Sequence, residues 1–199
     1  MLKAYQIARF EQTYSDLLGN SPYREAARFF LDELYGSRDF VERDHQFARI
    51  VPSLVRMLPT VLVEAVESLV RLHALSEALD TRMARLLNVE RVDANAYQNA
   101  WRCCGEFRSR YEQIELTLGI GLTLIRYTRK VWLRRTLKFM RGPADSVGLG
   151  DLQSFLERGF NTFGALKQPE AFLHTIRQRE TAFVSALCGQ VQDSVAPRR

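Results

Sequence analysis

Three groups of residues in this chain have types and spacings that can do chemistry. The first is His73, Glu77 and Asp80, at i, i+4 and i+7, which on a helix share one face. An imidazole and two carboxylates so placed would make half of a metal site, completed by Glu112 or Glu115 from a neighbouring helix. Helical carboxylate centres take a Glu-x-x-His pair from each of two helices. Here Val70 and Ala171 stand three before His73 and His174, and only Glu42-Arg43-Asp44-His45 has the spacing. One copy does not build a centre, so the trio reads first as a solvated acidic stripe. The second group is Cys103-Cys104, beside Arg102 and Arg108, where nearby cations would lower a thiol pKa. With Cys188 the count is odd and forms no disulfide framework. Reduced, mostly buried thiols of a cytoplasmic protein are expected.

The third group is basic. The chain carries 28 Lys+Arg against 23 Asp+Glu, a net charge of +5. Residues 126–141, RYTRKVWLRRTLKFMR, hold seven cations and no carboxylate, so they carry +7 in a chain that is otherwise at −2. On a wheel of about 100° per residue this is a basic amphipathic helix. Trp132, Leu133, Leu137, Phe139 and Met140 fall on the apolar arc, and Lys130, Arg134, Lys138 and Arg141 on the basic one. Arg135 sits to one side, and Arg126 and Arg129 intrude on the apolar arc. A single-sign face of this kind attracts phosphates, anionic headgroups or an acidic protein surface. It can equally pair within the fold with Glu64, Glu67, Glu77 and Asp80 of the long helix before it. Specific DNA reading is not expected, since no helix-turn-helix or zinc-finger spacing occurs.

Arg179 falls between Ile176 and Phe183, on the inward line of the last helix. An arginine near a core face needs a carboxylate. It is expected to pair structurally; as a minority reading, it faces a ligand in a pocket. Nothing supports nucleophilic catalysis: Gly-x-Ser-x-Gly is absent, and Gly119-Ile120-Gly121 stops short of a phosphate-binding loop. No catalytic residue, metal ligand or cofactor is assigned.

The elements that must position these groups are helices. Hydrophobic residues make up 46% of 199 residues, with 11 glycines and 6 prolines, which excludes a disordered or low-complexity chain. Helical periodicity runs nearly throughout. Ser21 and Pro22 open a helix carrying Tyr23, Ala27, Phe30 and Leu34, stopped by Gly36. Asp39 with Glu42 opens another, with Phe40, Phe47, Ile50, Leu54 and Met57 inward and a break at Pro52. Thr60 caps the longest stretch, residues 61–87, with Val61, Ala65, Leu72, Leu75, Leu79 and Leu86 near one line and Asn88 closing. Asp93 caps a helix running through Trp101, Phe107, Tyr111, Ile114 and Leu118, with a bend or close contact at Gly119 and Gly121. It resumes to Met140 and stops at Gly142-Pro143, before a loop over 144–148. Leu149, Leu152, Leu156, Phe163 and Leu166 mark the next helix. Pro169 starts the last, with Phe172, Ile176, Phe183 and Leu187 inward and Gly189 closing. The fold class is all-α: one domain over 1–194, a bundle of about eight helices with irregular or partly orthogonal packing, and a frayed tail at 195–199.

The stretches FFLDELYG (29–36), RDHQFARIVPSLVRMLP (43–59) and LQSFLERGF (152–160) resemble a family of uncharacterised helical proteins from proteobacteria. The resemblance implies a bacterial, all-helical protein and carries over no catalytic residue. The sequence therefore points to a non-catalytic binding or scaffolding protein. Its segment 126–141 (Arg126, Arg129, Lys130, Arg134, Arg135, Lys138, Arg141) would meet an anionic partner, protein or membrane surface ahead of specific DNA, with a homo-oligomer also compatible. It would be cytoplasmic, with a peripheral place at the inner membrane surface as the lipid version. The alternative is a helical small-ligand, metal or haem-binding protein or enzyme, with a pocket near His73 or Arg179.

Overall fold

The computed structural model describes residues 2–19, 22–35, 60–87 and 92–195, all helical or connecting turn, with no strand among them. The elements are α1 (Leu2–Thr13), α2 (Ser15–Leu18), α3 (Arg24–Phe30) running into a π-helical turn (Leu31–Tyr35), α4 (Thr60–Leu86), α5 (Ala94–Cys104), α6 (Phe107–Thr128), α7 (Val131–Phe139), α8 (Arg141–Ser146), α9 (Gly150–Ala165) and α10 (Pro169–Val195). Gly36, the segment from Asp39 through Pro59 with His45 and Pro52, the caps Ser21 and Asn88, and the tail 196–199 lie outside the described residues.

Local chemistry sets several boundaries. The Asp93 carboxylate accepts from the Ala96 amide at 2.8 Å, the expected N-cap of α5. The helix does not continue through Phe107 as its periodicity predicts. Gly105 takes φ +66° and closes α5 through its amide to the Arg102 carbonyl at 3.2 Å, and α6 starts afresh at Phe107. Gly119 and Gly121 cause no interruption; α6 runs straight through both. Gly121 is instead a close approach, since a Cβ there would sit 2.7 Å from Leu173 of α10. Pro22 precedes α3, whose first residue is Arg24. Gly189 does not end α10, which extends to Val195, into the stretch expected to fray.

A shared core joins Phe10 of α1, Tyr14, Leu17 of α2, Ala26, Ala27 and Phe30 of α3, Met83 of α4, Trp101 of α5, Ile114, Leu118 and Ile125 of α6, Phe163 of α9, and Phe172, Ile176, Val184 and Leu187 of α10. Phe30 meets Phe163 and Phe172 with ring centroids 5.8 Å apart in each case, within the range where aromatic pairs attract beyond their burial. α6 is the central strut, with α4, α10 and α9 packed on it. Two expected core positions face outward: Leu86 and Tyr111 are exposed, the inner line of α4 being Leu72, Leu79 and Met83.

The expected single basic helix over 126–141 is three pieces. α6 ends at Thr128, Lys130 is extended at φ −86° and ψ 109°, α7 covers 131–139, and Gly142-Pro143 lie inside α8, so 144–146 are helix and not loop. The break has a packing cause. On an unbroken helix Trp132 and Thr136 would continue the buried line of Leu118, Gly121 and Ile125, with Leu133 and Leu137 about a quarter turn away. After the break Leu133, Leu137 and Met140 turn inward and are half-buried, while Trp132 is left in solvent.

Candidate functional site

α7 packs on α9, α6 and α8, and contributes no buried residue. Four contacts hold it. Leu133 and Leu137 face inward. The buried Gln153 of α9 donates to the Leu137 carbonyl at 2.6 Å and to Glu157 at 2.8 Å. Arg141 pairs with Glu157, donating through Nε at 3.1 Å and through Nη2. The Arg134 guanidinium lies 5.8 Å over the Phe160 ring and so close to Gly164 that a Cβ there would meet its Nη2 at 2.8 Å. The hydrogen bond from Arg141, followed by that from Gln153, holds the Glu157 carboxyl below its ordinary pKa, with Lys138 adding a longer-range attraction.

The opposite face of α7 is open. Arg135 and Lys138 are exposed, as are Arg126 at the end of α6 and Lys130 at the break. Among the described residues none of these four is in an ion pair. Arg129 reaches Glu170 only at 3.8 Å, both side chains being 65% exposed. The seven cations expected to act together therefore divide. Arg134 and Arg141 tether α7, Arg129 is loosely paired, and Arg126, Lys130, Arg135 and Lys138 point to solvent. Beside them stand Val131 at 63%, Trp132 at 49% and Phe139 at 81% exposure. Trp132 and Phe139, placed on the apolar arc by the sequence, are thus outward-facing. Isolated exposed apolar residues are ordinary, but three within one nine-residue helix, beside Arg135 and Lys138, form a patch.

The acidic residues of α4 do not neutralise this face. Glu77 accepts from Lys3 of α1 at 3.3 Å and Asp80 from Gln6 at 2.8 Å. Both pairings advance by three residues in the same direction, so α1 and α4 run parallel here. The expected stripe is not uniformly solvated: His73 and Glu77 are exposed, while Asp80 lies against the nearly buried Gln6. Burial pushes the Asp80 carboxyl above its ordinary pKa, against the hydrogen bond from Gln6 and the attraction of Arg110. Glu112 is paired with Arg71, and Glu115 with Arg177 at 2.6 and 3.1 Å. Among the described residues no three His, Cys, Asp or Glu side chains gather for a metal ion.

Arg179 has its carboxylate. It donates to Asp16 at 2.7 and 2.8 Å and to the Thr13 carbonyl at 2.7 Å, closing α10 against the α1–α2 corner. Its hydrogen bond holds Asp16 below the usual carboxylate range. His73 is exposed on α4, a different element. The cysteines are free thiols, but Cys103 is exposed and the other two only partly covered. The expectation of mostly buried thiols fails because Tyr97, Ala100 and Trp101 take the inner face of α5.

Arg110, Glu33 and Gln153 are buried polar residues outside the sequence-predicted sites. Arg110 is stacked 4.4 Å over the Trp101 ring and donates to Gln113 at 3.1 Å. Its signal was available: it stands four and eight residues before Ile114 and Leu118, on the inward line of α6. Glu33, in the π-helical turn, is paired with Arg158 of α9. Gln153 carries no sequence signal, since its role depends on where α7 lies.

Among the described residues no helix is long and apolar enough to cross a membrane. No curated protein and no solved structure matches the chain. One family model matches residues 1–194, nearly the whole length, and by it the chain belongs to the family described as Domain of unknown function (DUF8198).

Proposed function

We propose that this protein is a non-catalytic binding module that docks an anionic partner on the outward face of α7. One observation carries the reading. Arg126, Lys130, Arg135 and Lys138 are exposed and, among the described residues, in no ion pair, while α7 is tethered from behind by other residues. Charges that serve the fold find carboxylates, as Arg177 and Arg179 do here. A cluster that does not is a standing field for an opposite charge. The resemblance to proteobacterial helical proteins supplies a bacterial setting, and a cytoplasmic place with access to the inner membrane surface is part of the same proposal. The alternative, a ligand pocket at His73 or Arg179, has the Arg179 guanidinium already engaged by Asp16 and Thr13.

Retention on immobilised heparin tests the reading. Arg135→Glu with Lys138→Glu is compared with Arg85→Glu with Arg108→Glu, which changes the net charge equally at two other exposed arginines. The first pair is expected to elute at much lower salt than the wild type, and the control pair close to it. Equal shifts in both would mean that only net charge matters, and would remove the α7 site. If the partner is nucleic acid, the logarithm of affinity falls by about 0.9 per logarithm of salt for each neutralised phosphate.

A further inference from the structure

We infer that the anionic partner is a lipid surface, on which α7 lies flat with Trp132 and Phe139 inserted at the headgroup–acyl boundary. This rests on the docking reading above and adds the chemistry of the partner. A helix of nine residues is about 14 Å long. Taking Val131 as the centre of its open face, Lys138 turns to one side by roughly 20°, and Arg134, at roughly 60° on that side, is folded back over Phe160. Arg135, Phe139 and Trp132 turn to the other by roughly 40°, 80° and 100°. One flank is therefore cationic and the other aromatic, with Arg135 between them.

The membrane interface has that layering. Phosphates lie at the depth a Lys or Arg reaches, and an apolar boundary lies about 5–10 Å beneath for Trp and Phe. Trp suits the position because its ring is amphipathic. Duplex nucleic acid matches the cations but offers no apolar layer for Val131, 63% exposed, and no unstacked base for Phe139, 81% exposed. A fluid lipid surface can receive a single exposed helix face without a shaped groove. The pairing recurs one element earlier. Leu122, 53% exposed, and the exposed Arg126 stand at i and i+4 on one face of α6. α7 is far too short to span a bilayer, so the association is peripheral. Gln153, Glu157 and Phe160 hold the helix to the body of the protein while its outer face is immersed.

Flotation of the full-length protein with phosphatidylcholine vesicles, with and without phosphatidylglycerol, tests the inference. The wild type is expected to float only with the anionic vesicles. Its emission should shift to the blue, through Trp132, since Trp101 is already buried. Arg135→Gln with Lys138→Gln is expected to weaken binding roughly 30-fold, from two neutralised charges. Trp132→Ala with Phe139→Ala is expected to weaken it about tenfold or more, from the lost apolar burial. Both pairs replace exposed side chains, and circular dichroism and the melting midpoint check that the fold is kept. Flotation untouched by the aromatic pair overturns the inference, because insertion is its core. Heparin retention that depends on Arg135 and Lys138, without flotation, overturns the lipid assignment and leaves the docking reading standing. Failure of both assays removes both.

Discussion

α7 and α10 both carry cations on an otherwise apolar framework, and the fold treats them in opposite ways. On α10, Arg177 is met by Glu115 of α6, and Arg179 by Asp16 and the Thr13 carbonyl. The anion that follows them in the chain, Glu180, receives Arg9 at 3.1 Å and the Tyr14 hydroxyl at 2.8 Å. On α7, Arg135 and Lys138 are in no ion pair among the described residues, and Trp132 and Phe139 stand uncovered beside them. The same residue types serve as mortar in one helix and as a docking face in the other. What separates them is the neighbour. α10 runs alongside α6 and the α1–α2 corner, which present carboxylates. α7 rests by one side on α9, and among the described residues no carboxylate pairs with Arg135 or Lys138 on its other side.

The comparison can be broken where the charges are most enclosed. Glu180→Ala removes the carboxylate that both Arg9, whose side chain is 13% exposed, and the hydroxyl of Tyr14, which is 1% exposed, meet in the folded protein. A loss of about 3 kcal/mol in unfolding free energy is expected, read by chemical denaturation. A loss near zero would show that α10's charges are no more structural than α7's. Arg179→Ala comes next, at about 1 kcal/mol, discounted because Asp16 is 57% exposed. It also carries a pH signature. Arg179 lowers the Asp16 pKa in the folded state, so the pair's contribution is present above the ordinary carboxylate range and is lost as pH falls through the lowered value. The acid side of the stability–pH curve should flatten in Arg179→Ala, and an unchanged curve would detach Asp16 from this role. The smallest effect belongs to α7: Arg135→Gln with Lys138→Gln should stay within about 0.5 kcal/mol of the wild type. A larger loss would make the basic face structural and end the contrast.

Much of the helical frame was legible. Asp93 caps α5 and Pro169 opens α10 where their residue types say they should. Phe172, Ile176 and Leu187 line the inner face of the last helix at the spacings that announced it. The need of Arg179 for a carboxylate was legible too, but not which one, because Asp16 lies 163 residues away. The break at 129–130 left no mark, since Thr128-Arg129-Lys130 contains neither glycine nor proline. Periodicity fixes the phase of a helix only while that helix is unbroken. Extending the phase of α6 across the break therefore turned Trp132 and Phe139 to the wrong side, while Leu133, Leu137 and Met140, also on the expected apolar arc, do turn inward.

The sequence by itself determined that the chain is helical and that its whole positive excess sits within 16 residues, because hydrophobic period and charge count are properties of order along the chain. Only the tertiary structure decided which of those charges are spent. Arg134 is folded back over Phe160, Arg141 is bound to Glu157, and Arg135 and Lys138 are left outward. Pairing depends on distance in space, and a side chain's exposure depends on which face its helix packs. Both follow from how Leu133 and Leu137 settle against α9.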